Sequence, residues 1–237
     1  MPAARTSVAF LLLGLLIGAF AQGADIRGIV VIDKKLTARN VTPAAGSYQR
    51  GVAVDLAPGA EPDPLAFERS HVAVYIDGAA RMPTTGEVAE IIQQNHRHFE
   101  PDFVVAPAGS AVSFPNFDPI FHNVFSLSKA KSFDLGNYSA GQTRTVTFPR
   151  PGIVFVNCHL HPNMAASVVV SPTPWFTRVG ADGVFEIKDV PTGKYTLVAW
   201  HKSAGFFRKT VVVGDTGAEV KFVIPITEKD LRTIAQR

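Results

Sequence analysis

The sequence predicts an all-β chain that folds as two β-sandwiches. Short runs of β-branched and aromatic residues recur along it, and Gly, Pro, Asn or Asp separate them. Many short strands with frequent turn signals are typical of β-sandwiches. The predicted strands are 29–32, 72–76, 103–105, 112–114, 143–148, 153–156, 167–170, 195–200, 210–213 and 220–224.

Three other segments are less regular. Residues 86–95 would suit a helix or a strand, and we expect a strand because they lead directly into strand-like residues. Residues 38–69 are rich in Pro, Gly and Ala, which predicts a long loop. The tail at 228–237 follows Thr227 and begins with acidic residues, so it favours a short helix.

The first 21 residues predict a secretory signal peptide. Arg5 precedes an apolar run from 8 to 20, and Ala19-Phe20-Ala21 supplies small residues at the cleavage spacing. That run is shorter than the roughly twenty residues of a spanning helix, so we expect no membrane span. The mature chain is therefore expected to be exported, for example to a periplasm.

Charge and cysteine content exclude several classes. The 23 basic and 20 acidic residues form no dense cationic run, so nucleic acid is not an expected partner. The single cysteine, Cys158, rules out an intramolecular disulfide and a binuclear copper centre with two bridging thiolates. It could be a small buried hydrophobe or a metal thiolate.

The surroundings of Cys158 favour the metal. His161 and Met164 follow it in the pattern C-x-x-H-x-x-M, and His122 stands 36 residues upstream. Two imidazoles, one thiolate and a weak thioether are the ligands of a blue-copper centre. The sequence therefore predicts one type 1 copper ion.

Around these ligands the chain resembles the cupredoxins, the family of plastocyanin, amicyanin and pseudoazurin. The matching phrases are Ala108-Gly109-Ser110-Ala111-Val112-Ser113-Phe114-Pro115-Asn116, His122-Asn123 and Pro151-Gly152-Ile153-Val154-Phe155-Val156-Asn157-Cys158. The resemblance covers about 86–171, and it is nearest to exported plastocyanin-like proteins labelled methylamine-utilisation proteins. It implies a Greek-key β-sandwich at 86–171.

The resemblance also implies roles for individual residues. His122, Cys158 and His161 would be the equatorial ligands and Met164 the axial one. Asn123 would donate its backbone amide to the cysteine sulfur, while its side chain ties the two ligand loops together. The alternative for Asn123 is an ordinary turn residue.

The implied function is transfer of single electrons with a transient redox partner. The edge of His161, beside Pro162, would be the electron port. Four committed protein ligands leave no open position for a substrate, so we expect no enzyme. The alternatives are copper delivery or storage without redox turnover, and a surface binding module on a cupredoxin scaffold.

The remaining histidines carry weaker signals. His96 and His98 alternate along one predicted strand, which would place them on one face as a second metal site, although such pairs are more often surface residues. His159 should point away from the copper if Cys158 ends a strand. His71 and His201 are expected to be structural or solvated.

The C-terminal part resembles a second family, the carboxypeptidase regulatory-like or transthyretin-like sandwich. The phrases D-G-x-F at 182–185 and P-x-G-x-Y-x-L at 191–197 carry this resemblance. Its first strands would come from the N-terminal part, so we expect one domain of 25–82 and 172–227 with the cupredoxin inserted. The alternative is two consecutive domains, with 25–85 decorating the cupredoxin.

Overall fold

The computed structural model describes residues 23–36, 63–78 and 85–225, and their regular structure is almost entirely β. This confirms the all-β fold class. One short helix, α1 (Ala66–Ser70), lies among these residues. The strands are β1 (Ala24–Ile32), β2 (Val72–Asp77), β3 (Val88–Ile91), β4 (Gln93–Asn95), β5 (His98–Glu100), β6 (Phe103–Pro107), β7 (Ala111–Pro115), β8 (His122–Leu127), β9 (Ser132–Tyr138), β10 (Thr143–Thr147), β11 (Gly152–Asn157), β12 (Ala165–Ser171), β13 (Phe176–Arg178), β14 (Val184–Val190), β15 (Gly193–His201), β16 (Gly205–Val213) and β17 (Ala218–Ile224).

The strands pair in two groups. Sheets β6-β12-β11-β8-β9 and β10-β7-β3 use the middle of the chain, and sheets β14-β1-β17 and β13-β2-β15-β16 use both ends. Strand β1 pairs with β14 and β17, while β2 pairs with β13 and β15. These pairings favour insertion of 86–171 between the two parts of the other sandwich. The domain boundaries and the transthyretin-like assignment stay predictions.

Three apolar layers separate the four larger sheets, and β4 and β5 form a fifth sheet of two strands. Each sandwich has its own core, and a third cluster, which we call the inter-sandwich layer, joins β2 and β15 to β6 and β12. Alternate residues of a strand point to opposite faces, so these strands are buried on both sides. The layer contains Ala73, Tyr75, Phe103, Val105, Val169, Val198 and Trp200.

Residues 86–95 form strands β3 and β4, as predicted, with buried Ile92 between them. Residues 38–62 of the expected loop lie outside the described residues. The expectation is wrong at its end, where α1 begins at Ala66 and buries Glu68 against His201. The predicted signal peptide and the tail at 228–237 lie outside the described residues. None of the helical structure in the described ranges is long and apolar enough to cross a bilayer.

Helix α1 is anchored by a buried hydrogen bond between a carboxylate and an imidazole. Glu68 Oε2 lies 3.1 Å from His201 Nε2, and neither side chain is more than 1% exposed. His201 Nδ1 accepts the backbone N–H of Ser203 at 3.2 Å, so the ring donates from Nε2 to the carboxylate. The other oxygen, Oε1, accepts the backbone N–H of Leu36 at 3.1 Å. His201 is thus structural, as expected.

This pair predicts a pH dependence of stability. Burial lowers the pKa of His201 from its ordinary value near 6.5, and His71 adds to this while Glu68 opposes it. Below pH 6.5 the unfolded chain therefore binds a proton that the folded chain does not. As the pH is lowered through this range, the free energy of unfolding should decrease by at most about 1.4 kcal/mol per pH unit. Denaturant unfolding of copper-free protein between pH 5 and 8 measures this. In His201→Gln, which keeps a donor for Glu68, the slope should be shallower, and parallel curves would contradict the assignment.

Candidate metal centre

The three candidate equatorial ligands, His122, Cys158 and His161, meet at one end of the sandwich formed by the middle of the chain. Strands β11 and β12 pair as far as Asn157 opposite Ala165, so residues 158–164 form the hairpin loop between them. Asn157 also pairs with Phe125 of β8, the strand that begins at His122. Strand register therefore brings His122 to the loop that carries Cys158 and His161.

Their ligand atoms form a compact triangle. The Nδ1 atoms of His122 and His161 are 3.1 Å apart. Cys158 Sγ lies 4.0 Å from the first and 3.8 Å from the second. In such a triangle a point roughly 2.0 Å from both nitrogens lies about 2.3 Å from the sulfur, which are ordinary metal–nitrogen and metal–sulfur distances. The residues therefore fit a trigonal thiolate–imidazole metal site.

Met164 ends the same loop and is fully buried in the core beside Cys158. Its backbone N–H donates to the carbonyl of His161 at 2.9 Å. The backbone N–H of Cys158 in turn donates to the carbonyl of Met164 at 3.3 Å. These bonds hold the loop closed and keep the thioether residue next to the triangle. Its axial role stays a prediction.

Asn123 contacts the thiolate position through its backbone. Its N–H donates to Cys158 Sγ at 3.5 Å, as the resemblance implied. Among the described residues, no hydrogen bond joins its side chain to the 158–164 loop. Its Nδ2 donates instead to Asp134 Oδ1 at 2.6 Å, on strand β9, which pairs with β8 and has a register shift between Asn123 and Phe125. The expected tie between the ligand loops is therefore replaced by a tie to the neighbouring strand.

The buried residue Asp118 was missed at the sequence level. Its Oδ2 accepts a hydrogen bond from His122 Nε2–H at 2.7 Å. Burial by itself raises the pKa of Asp118, but hydrogen bonds from the backbone of Arg97, from His122 and from the backbone of His96 hold that pKa below its usual value. The only sequence signal was its position four residues before His122, in a loop where spacing does not fix geometry.

His161 lies at the protein surface with apolar neighbours. His161 is partly exposed, while His122 is fully buried. Residues that adjoin the ligands in sequence expose large apolar side chains: Phe121 is 60% exposed and Leu160 is 47% exposed. Desolvation lowers the pKa of His161, and the nearby charges of His122 and Arg97 lower it further. A neutral imidazole is the form that can bind metal.

His159 points away from the triangle, as expected. Its ring stacks on Phe125 with centroids 3.7 Å apart and planes within 7°. Its Nε2 lies 3.6 Å from Asp134 Oδ2. The contacts place this imidazole on the outer face of the sheet, where half of its side chain is exposed.

His96 and His98 do not share a strand face, so that expectation is wrong. His96 and Arg97 are the turn between β4 and β5, and both have positive φ, 52° and 58°. Two central residues with positive φ are typical of a tight type I′ hairpin turn. His98 Nδ1 is hydrogen-bonded to the His96 carbonyl at 2.8 Å. Among the described residues, the cluster of His, Cys, Asp and Glu that could hold a metal is the triangle, and it does not include this pair.

Solved structures similar to the chain include copper proteins. A reduced tryptophan-to-tyrosine mutant of amicyanin shares 19% identity with a TM-score of 0.33, over 41% of this chain and 98% of amicyanin. An oxidised proline-to-alanine mutant of amicyanin gives the same values. The copper nitrite reductase of Thermus scotoductus SA-01 shares 21% identity with a TM-score of 0.35, over 42% of this chain and 25% of its own length. No family model and no curated protein matches the chain. Each of these similarities covers about two fifths of this chain.

Proposed function

We propose that the chain is an exported type 1 copper protein that carries single electrons between redox partners. The observation that supports this most is the triangle of His122, Cys158 and His161, whose sides fit a trigonal thiolate–imidazole site. A bound copper ion would supply a one-electron couple between Cu(II) and Cu(I). Thiolate and imidazole donors in a plane suit both oxidation states.

The residues around the triangle limit its rearrangement. Cys158 is buried and accepts the Asn123 N–H, which stabilises the thiolate and fixes its position. His122 is held on its other side by Asp118. A site whose donors are already in place needs little reorganisation when an electron arrives or leaves. These features favour electron transfer over copper delivery, which requires the metal to leave the site readily.

The proposed electron port is the exposed edge of His161 with Pro162 beside it. Phe121 and Leu160 precede the two imidazole ligands in sequence and expose apolar surface. A small apolar contact of this kind suits a weak and transient partner complex. Four committed ligands, with Met164 as the fourth, leave no position for a substrate, so we propose no catalytic activity.

Rapid mixing distinguishes electron transfer from copper delivery. Ascorbate-reduced, copper-loaded protein should be oxidised by an oxidised small c-type cytochrome, while a chelator added at the same concentration should remove copper far more slowly. Phe121→Glu at the port should slow the electron exchange at least tenfold. Leu127→Glu serves as the matched control, because Leu127 is 83% exposed at the far end of β8. Fast chelator transfer without electron exchange would favour delivery, and equal effects of both substitutions would contradict the port.

The axial assignment predicts the effect of Met164→Gln. An amide oxygen is a harder ligand than a thioether and favours Cu(II), so the reduction potential should fall and the visible spectrum should change. Cyclic voltammetry and absorption measure both. If neither the potential nor the spectrum changes, Met164 is not a ligand.

A further inference from the structure

We propose that Asp118 is a positioning residue that fixes the tautomer of His122 and favours Cu(II) over Cu(I). The inference rests on the proposed copper site and goes beyond its four ligands. Asp118 is buried, and its Oδ2 lies 2.7 Å from His122 Nε2. The ligand atom of His122 is the opposite ring nitrogen, Nδ1, which faces Cys158 and His161.

Asp118 determines which ring nitrogen of His122 carries the proton. A carboxylate only accepts hydrogen bonds, so the ring must donate from Nε2. The hydrogen bond at one nitrogen determines which nitrogen is free to bind metal. Nδ1 is then left with a lone pair directed at the triangle. Asp118 therefore prepares His122 as a ligand before any metal arrives.

The negative charge of Asp118 also acts on a metal ion bound to His122. His122 is fully buried, so solvent screens its interaction with the Asp118 carboxylate only weakly. A negative charge hydrogen-bonded to a ligand makes that ligand more basic, and it stabilises a doubly charged ion more than a singly charged one. Asp118 should therefore strengthen binding of Cu(II) more than binding of Cu(I).

The local backbone holds this carboxylate in place. Oδ1 accepts the N–H of His96 at 2.7 Å, and Oδ2 accepts the N–H of Arg97 at 2.8 Å. Both donors belong to the positive-φ turn between β4 and β5, where successive N–H groups form a small anion-binding concavity. The N–H of Asp118 donates to Asn116 Oδ1 at 3.0 Å. The carboxylate of Asp118 thus accepts hydrogen bonds from three donors, spread over both of its oxygens. An asparagine side chain has only one oxygen, so its NH₂ group would face at least one of these donors.

The matched control is a second buried carboxylate–imidazole pair. Glu68 and His201 repeat the arrangement in the other sandwich, with the imidazole Nε2 and a backbone N–H on the carboxylate. Glu68→Gln therefore removes a comparable buried charge far along the chain from the copper ligands. It tests whether an effect of Asp118→Asn comes from lost stability or from the ligand itself.

Two measurements test the inference. In copper-free wild type, ¹⁵N NMR of the His122 ring should show a proton on Nε2 and none on Nδ1, and Asp118→Asn should give a mixture of tautomers. In copper-loaded protein, Asp118→Asn should weaken binding of Cu(II) relative to binding of Cu(I) at least tenfold. A tenfold change is equivalent to a rise in the reduction potential of about 59 mV. Glu68→Gln should change neither quantity.

Specific outcomes would overturn it. A wild-type His122 protonated on Nδ1 would contradict the assignment without the need for any variant, even if Asp118→Asn failed to fold. A folded Asp118→Asn protein with unchanged tautomer and potential would do the same, as would equal potential shifts in both variants. If wild type formed no blue copper site, the proposed function would fail, while the copper-free tautomer measurement would still decide the role of Asp118.

Discussion

Replacement of Cys158 by serine is expected to abolish the intense visible absorption of the copper-loaded protein and to weaken Cu(II) binding by at least 100-fold. Cys158 is the only cysteine, so no other thiolate in the chain can substitute for it. A serine hydroxyl stays protonated at neutral pH and is a poor donor, whereas a thiolate binds copper strongly. Competition with a chelator of known affinity, together with an absorption spectrum, measures both effects.

The fold should survive this substitution, because serine is only slightly smaller than cysteine and the site lies at the end of the sandwich core. Far-UV circular dichroism of Cys158→Ser provides that control. A folded variant that keeps an intense blue band would show that the colour does not come from a thiolate, and it would contradict the ligand assignment.

Replacement of Trp200 by alanine is expected to reduce the free energy of unfolding by about 3–5 kcal/mol. Trp200 is 3% exposed in the inter-sandwich layer, and its ring lies 6.1 Å from that of Phe103 and 6.4 Å from that of Phe155. The substitution leaves a cavity between the two sandwiches and removes the largest side chain that joins them. Guanidinium unfolding, followed by circular dichroism, measures the loss.

Phe206→Ala is the matched control for this prediction. Phe206 also lies 6.4 Å from Trp200, but it is 46% exposed and outside the layer, so its loss should cost about 1 kcal/mol or less. A cost for Trp200→Ala as small as that for Phe206→Ala would show that the layer contributes little to stability.

The sequence was sufficient to predict the all-β fold and the residues that form the triangle. Strand periodicity and turn residues are local signals, and the loop C-x-x-H-x-x-M holds two candidate ligands within four residues. The contact between His122 and Cys158 was harder to predict, because Cys158 lies 36 positions further along the chain, after strands β9, β10 and β11. Its prediction depended on resemblance and on the scarcity of suitable donors.

The features that the sequence did not reveal depend on tertiary contacts. The pairing of Asp118 with His122 requires a hairpin turn of residues 96 and 97, which only the folded chain places beside the loop. The same turn separates His96 from the strand face that it was expected to share with His98. The inter-sandwich layer did leave a signal, since β2 is an almost uninterrupted apolar run, as in strands buried on both faces.

The central claim is that this chain forms a redox-active copper thiolate centre, and the visible spectrum during Cu(II) titration tests it most directly. We predict an intense blue band that saturates at one copper per chain, bleaches on addition of ascorbate and returns on reoxidation. A protein that stays colourless, or only weakly coloured, after addition of excess Cu(II) would contradict the claim.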